Sequence, residues 1–248
     1  MKLSGESLKG DLEFGLDSGV LRIISEEIKK ISHLDVQISI VAGGGNFWRG
    51  YEHEKRGMDR STADYAGMLA TIMNALALQD ELEKNNIEVR TQSALNLPSV
   101  AEPYIRRRAI RHMEKGRLVL FAGGTGNPFM STDTAAALRS IEINADLLVM
   151  AKNDVDGLYD SDPNVNTNAK KIVDITHHDA LNKRLEALDS TALTLCMDNS
   201  LPIIIFDLFK PDNLLNVLIG KEIGTLINTP KIWNGYINGN KWDFKRMF

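Results

Sequence analysis

The chain has 248 residues, 43% of them hydrophobic and 25% charged, with a formal net charge of -4. That balance belongs to an ordinary globular protein with a sizeable core, and the absence of a basic field argues against a nucleic-acid partner. A single cysteine, Cys196, excludes an internal disulfide framework and a Cys-rich metal centre. The five histidines show no metal-ligand spacing, no run nears the ~18 continuous apolar residues of a membrane span, and no signal peptide is visible, so a cytoplasmic protein is expected.

The chain opens on Lys2-Leu3-Ser4-Gly5, a turn with almost nothing before it to form a strand. Residues 10–15 read as loop, after which Asp17 or Ser18 caps a helix to about Ile31, with Leu21, Ile24, Ile28 and Ile31 on one face. Val36 to Val41 reads as a strand that ends in Gly43-Gly44-Gly45-Asn46, followed by Phe47-Trp48-Arg49-Gly50. Three consecutive glycines lose much backbone entropy on folding, and close approach of a polyphosphate, with Arg49 supplying charge-assisted bonds, is a reason to accept that loss. Thr62 to Glu83 reads as a long helix with Met68, Leu69, Ile72, Met73, Leu76 and Leu82 available for burial. Asp64 near its start suits the helix dipole. Ile87 to Ser93 reads as a strand, and Tyr104 to Lys115 as a helix on which Arg106, Arg107, Arg108 and Arg111 form a solvated face.

A second strand-to-glycine junction follows. Arg117 to Phe121 is an apolar run of buried-strand type, Gly123, Gly124 and Gly126 form a turn, and Ser131 to Ile143 has helical spacing. Such a junction can cradle a phosphate or nucleotide on backbone N–H groups, Ser131 and Thr132; a glycine turn with an N-cap uses the same residues. Neither glycine loop fits G-x-x-x-x-G-K-[ST], and neither sits in the G-x-G-x-x-G context of a dinucleotide fold. Downstream, 145–150, 172–176 and 202–207 read as strands, 177–188 and 212–219 as helices, and Asp189 suits an N-cap. Strands alternating with helices argue for an α/β sandwich around a mainly parallel sheet, with sites at the carboxyl ends of its strands.

The runs Gly43 to Gly50, Met58-Asp59-Arg60 with Asp64 and 67–71, and Gly123 to Asp133 together resemble the bacterial uridylate kinases (UMP kinases) of the amino acid kinase family, which are unrelated to the P-loop nucleoside monophosphate kinases. Ala151 to Pro163 is similar to that family's ATP loop, and Gly224 to Ile227 resembles its closing strand. The likeness covers about Lys2 to Ile227, so residues 1–230 are expected to form the kinase-type domain and 231–248 a C-terminal extension outside the match. It implies a three-layer α/β/α sandwich whose first strand, in this chain, is truncated to the Lys-Leu-Ser-Gly turn.

The resemblance implies transfer of the γ-phosphoryl of ATP to UMP, with Mg²⁺ arriving with ATP. ATP would be held by Lys2, Leu3, Ser4, Gly5, Gly45, Arg49, Asn153, Tyr159 and Asp162. UMP would be held by Gly44, Asp64 and the run Thr125, Gly126, Asn127, Pro128, Phe129, Met130, Ser131 and Thr132. Lys2 and Arg49 would serve the phosphates in catalysis, with Asp133 and Asp189 orienting those cations or the Mg²⁺; Lys152 is a candidate second cation. A homohexamer is the implied assembly, and GTP and UTP the implied effectors, with Arg90 and Arg117 as candidate contacts. Acetylglutamate, carbamate and aspartate kinases share the ATP loop but lack, as a set, the Asp64 region and Gly-Thr-Gly-Asn-Pro-Phe. A non-catalytic nucleotide-binding protein on the same fold is the alternative of a different class.

Overall fold

The computed structural model describes residues 1–152, 156–161, 166, 168–183, 185 and 188–229. The expected extension at 231–248 therefore lies outside the described residues, as do Asn153 and Asp162.

In chain order the elements are β1 (Lys2–Leu3), α1 (Gly5–Leu8), α2 (Ser18–Ile31), β2 (Ser39–Ala42), α3 (Gly50–Lys55) and α4 (Arg60–Lys84). Then come β3 (Val89–Ser93), β4 (Glu102–Pro103), α5 (Arg106–Glu114), β5 (Leu118–Ala122), α6 (Thr132–Glu142) and β6 (Leu148–Lys152). The last part holds β7 (Leu158–Tyr159), β8 (Lys171–Ile172), β9 (Asp174–Thr176), α7 (His177–Asn182), α8 (Ser190–Asp198), β10 (Ile203–Asp207), α9 (Asn213–Leu218) and β11 (Thr225–Asn228). Short acidic or hydroxyl side chains start several of the helices by accepting their free N–H groups. Asp17 takes those of Gly19 and Val20, Asp59 that of Thr62, and Thr176 that of Asp179.

Nine strands form one sheet in the order β4-β3-β5-β2-β1-β6-β10-β11-β9, parallel except where β11 meets β10. The strand expected at 172–176 divides: β8 pairs with β7 in a separate two-stranded ribbon, while β9 joins the main sheet. Central strands are buried on both faces, which is why they read as continuous apolar runs. Their side chains alternate between two cores. Leu3, Val149, Ala151, Ile204 and Phe206 pack with Ile24, Ile28, Ile72, Leu78, Leu82 and Leu214 of α2, α4 and α9. Val41, Leu148, Met150, Ile203 and Ile205 pack with Ala109, Ala135, Ala136, Ala137, Ala192 and Cys196 of α5, α6 and α8. The result is the three-layer α/β/α sandwich expected.

The first strand is short, yet it closes the middle of the sheet. Lys2 and Leu3 pair with Val41 and Ala42 on one side and with Met150 and Ala151 on the other. Met1 extends the ladder, accepting the Val41 N–H at 2.9 Å and donating its amino group to the Ser39 carbonyl at 2.7 Å. Over these residues β1 keeps β2 and β6 within one continuous sheet.

The long helix departs from expectation in one respect. Leu69, Met73 and Leu76, expected in the core, are exposed together with Tyr65. Apolar residues surround much of α4, and the face that meets the sheet is the one carrying Ala63, Ala70, Ile72, Ala75, Leu78 and Leu82.

Candidate active site

The site lies along the carboxyl edge of the sheet, where β1, β2 and β5 deliver Lys2 and the two glycine loops side by side. Lys2 is 6% exposed, and its ammonium meets Asp133 Oδ1 at 2.7 Å. Asp133 stands in the first turn of α6, whose N-cap Ser131 accepts the N–H groups of Asp133 and Thr134. Two groups 131 positions apart in sequence are thus placed in contact by β1 and α6.

The first glycine loop approaches too closely for side chains. A Cβ on Gly44 would lie 2.7 Å from the Gly67 carbonyl oxygen of α4, and one on Gly43 2.8 Å from the Gly5 nitrogen. The N–H groups of Gly44 and Gly45 have no acceptor among the described residues, which leaves them available to an anion. Beneath the loop lies a buried amide pair. Asn74 donates to the Gly43 carbonyl at 2.6 Å and to Asn46 Oδ1 at 2.7 Å, and Asn46 donates back to Asn74 Oδ1 at 3.0 Å and to the Gly15 carbonyl at 2.8 Å. Arg49 sits beyond the loop, half-exposed, with Glu6 Oε1 2.5 Å from Nη2. Burial raises the Glu6 carboxyl, but hydrogen bonds from Arg49 and Lys9 outweigh it and hold its pKa below the usual value.

The second glycine loop hangs from the same helix. Thr71 Oγ1 accepts the Gly123 N–H at 2.8 Å and donates to the Met68 carbonyl at 2.7 Å. Gly123, Gly124 and Gly126 all have φ between 58° and 82°, the left-handed region that favours glycine. Buried Arg139 reaches back to the Gly124 carbonyl at 3.5 Å while held by Glu142 at 2.6 Å. Phe129 also has a left-handed φ, 65°, which is costly for a residue with a side chain. Its N–H is tied to Asp64 Oδ2 at 2.8 Å, and the same oxygen takes Arg60 Nε at 2.9 Å. Thr125 and Asn127 bond to one another across the tip of the loop.

Arg49, Gly50, Arg60, Asp64, Phe129, Met130, Ser131, Thr134 and Asp189 line one open cleft of about 520 Å³. Asp189 fills two roles there. It caps α8 by accepting the Ala192 N–H at 2.7 Å, and it also accepts the hydroxyls of Ser131 and Thr134. Among the described residues it makes no ion pair with Lys2 or Arg49, the cations it was expected to orient.

Other expected residues lie elsewhere. Tyr159 hydrogen-bonds Asp156 at 2.7 Å beside the β7–β8 ribbon, away from the Asp64 cleft. Arg90 and Arg117 share Glu88, at 3.0 Å and 3.1 Å. Lys152, at the end of β6, is half-buried; burial is the main cause lowering its pKa, with Asp133 raising it and Lys2 lowering it. Cys196 is fully buried, and that burial pushes its thiol up to about 12. Asn74 and Arg139 were not singled out from sequence, and Thr71 entered only as the last residue of the 67–71 run. Polar residues on the buried side of helices that otherwise carry apolar ones were the available signal.

The model of the amino acid kinase family matches residues 1–207. A UMP kinase structure from Bacillus anthracis is 40% identical, with a TM-score of 0.89, over 92% of this chain and 93% of that one. A UMP kinase from Ureaplasma parvum is 37% identical, TM-score 0.86, over 92% and 97%. A uridylate kinase from Archaeoglobus fulgidus is 25% identical, TM-score 0.69, over 91% and 97%. With this sheet order, this pair of glycine loops and relatives of that identity across almost their whole length, the chain belongs to the amino acid kinase family.

Proposed function

We propose that the chain is a UMP kinase, a phosphotransferase that moves the γ-phosphoryl of ATP onto the phosphate of UMP to give UDP and ADP. The observation that carries this reading is the order of groups along the sheet edge. The Asp64 cleft and the 123–131 loop of β5 come first, then the 43–49 loop of β2, then Lys2 on β1, then β6 and β10. An acceptor in the cleft and a donor over β6 and β10 would meet above Lys2. UMP kinases at 40% and 37% identity support the same acceptor.

Phosphoryl transfer asks the protein to align two anionic groups and neutralise charge. Lys2, fixed by Asp133, serves the migrating phosphoryl. The free N–H groups of Gly44 and Gly45 receive phosphate oxygens of acceptor and donor, and Arg49 leaves its exposed Glu6 pair, a pairing of small worth, to bridge them. Asp64 exchanges the Phe129 N–H and Arg60 for the ribose hydroxyls. Thr125 and Asn127 exchange their mutual bonds for the uracil edge. The acceptor phosphate is already ionised, so no general base is needed. The carboxylates of Asp133 and Asp189 are hard oxygen donors that suit Mg²⁺ brought by ATP, where the ion would offset phosphate charge. Asn153, Tyr159 and Asp162 complete the donor side in this proposal.

The same reading carries a cytoplasmic enzyme of pyrimidine nucleotide synthesis, a homohexamer, and GTP or UTP as effectors. The exposed stripe of Tyr65, Leu69, Met73 and Leu76 on α4 supports self-association. The test is ADP formation from Mg-ATP with UMP, CMP, AMP and N-acetylglutamate as separate acceptors. Turnover confined to UMP is expected. Turnover with N-acetylglutamate overturns the acceptor assignment, and silence with all four favours a nucleotide-binding protein without catalysis.

A further inference from the structure

Resting on that kinase reading, we propose that Gly50 is a positioning residue that sets selectivity for the acceptor's sugar: by carrying no side chain it leaves the notch in which the Asp64 carboxylate is seated. Gly50 opens α3 and faces the start of α4 in the wall of the cleft. A Cβ built on it would come closer to Asp64 Oδ1 than the 3.0 Å that real Cβ atoms keep, whereas Ala63, the next neighbour, would stand at an ordinary 3.5 Å. The backbone itself does not call for glycine. Gly50 lies outside the left-handed region, and alanine suits a helix better. The carboxylate is thus the group that a side chain here would displace.

Both sides of the notch are tied down. The Trp48 indole N–H donates to the Ala63 carbonyl at 2.8 Å, and Glu54 meets Arg60 Nη1 at 2.9 Å, so the chain before and after Gly50 is fastened to α4. On its far side the carboxylate is held at Oδ2, by Arg60 Nε at 2.9 Å and the Phe129 N–H at 2.8 Å, which leaves Oδ1 facing Gly50. In the proposed reaction ribose replaces those two donors when the acceptor binds. What then still seats the carboxylate is the helix that carries it and the notch beside it.

The kind of clash decides what a side chain would damage. It falls on the tip of a side chain rather than on backbone, so it is relieved by turning the carboxylate aside and the fold survives. A displaced Asp64 no longer meets the two ribose hydroxyls, while the glycine-loop N–H groups and Arg49 still receive the phosphate. The loss therefore concentrates on acceptors that carry those hydroxyls. A glycine kept only for helix packing would, when replaced, weaken every acceptor alike.

The experiment measures by calorimetry the binding of UMP and of dideoxy-UMP, which lacks both sugar hydroxyls, to the wild-type chain and to Gly50→Ala. Wild type should prefer UMP. Gly50→Ala is expected to weaken UMP by about tenfold or more, the scale of a hydrogen bond to a charged group, and the dideoxy analogue by less than about threefold. Losses for the two acceptors that differ by less than about threefold overturn the assignment, as does a wild type that binds both equally. Should Gly50→Ala not fold, the double variant with Asp64→Ala decides. With the carboxylate gone it is expected to melt together with Asp64→Ala alone, and its failure to fold overturns the role given to the notch. Binding requires no turnover, so ADP formation by the wild-type chain with UMP tests the kinase reading separately. A wild type that binds neither acceptor refutes the acceptor reading, and this inference with it, before any variant is made.

Discussion

Replacing Asn74 with alanine should release the first glycine loop from the helix that supports it. Asn74 is fully buried, and its amide donates to the Gly43 carbonyl at 2.6 Å and to Asn46 Oδ1 at 2.7 Å. The substitution strands both acceptors, while Asn46 keeps its own bond to the Gly15 carbonyl. Each orphaned buried acceptor costs about 1–3 kcal/mol, so the loss centres on ~4 kcal/mol. For a chain of this size, at roughly 2–4 °C per kcal/mol, the melting temperature falls by about 8–16 °C. Phosphorylation of UMP, assayed below the melting range, should fall as well, because Gly44 and Gly45 lose their fixed position. Asn46→Ala and the double variant complete a cycle, and the two amides should be coupled by more than ~0.5 kcal/mol. A stability loss under ~1 kcal/mol for Asn74→Ala, or strictly additive singles, would refute the idea that this pair anchors the loop.

Gly44→Ala should be damaging for a different reason. Its methyl group would sit 2.7 Å from the Gly67 carbonyl oxygen and 3.1 Å from the Thr71 nitrogen, both backbone atoms of α4, so the loop must lift; overpacking of this kind costs about 1–3 kcal/mol. UMP turnover should drop far more than stability, and wild-type kinetics in the alanine variant would show that the close approach is dispensable. His177, 1% exposed, is pressed to a lower pKa by burial, although hydrogen bonds to backbone carbonyls act the other way. Its folded pKa lies below its unfolded one, so the unfolded chain binds the extra proton. Its contribution to stability is present above the ordinary histidine range and is lost as pH falls below about 6.5, by at most ~1.4 kcal/mol per pH unit. Chemical denaturation between pH 8 and about 5 should show that decline, and His177→Gln should flatten it.

The strands and glycine loops were legible because local chemistry dictates them. Apolar runs such as Leu148 to Ala151 are buried on both faces, Gly44 occupies a place where a side chain has no room, and Gly123 has a left-handed backbone that favours glycine. Boundaries moved where a partner strand decided them. Ser39 to Ala42 is strand because it lies against β1 and β5, although alternation in the sequence begins at Val36. Residues 172–176 look continuous, but the ribbon with β7 and the sheet with β11 pull them apart. Leu69, Met73 and Leu76 misled because an apolar residue on a long helix gives no sign of which side meets the sheet. At the candidate site, Lys2, Asp64 and Asp133 were expected through the family likeness. The supporting roles of Asn74, Thr71 and Arg139 beneath them were hidden because their partners are backbone atoms far along the chain.

Thr71 and Asn74 stand three residues apart on α4, one under each glycine loop, a separation of about 4.5 Å along the helix axis. Both loops are therefore mounted on a common rail. If α4 slides or tilts as a rigid body, the two loops travel together and the gap between them keeps its width. Bending of the rail between those two residues, or breakage of one mount, would change their spacing. The distance between the two halves of the cleft is thus held by a single turn of helix as well as by the pairing of β2 with β5.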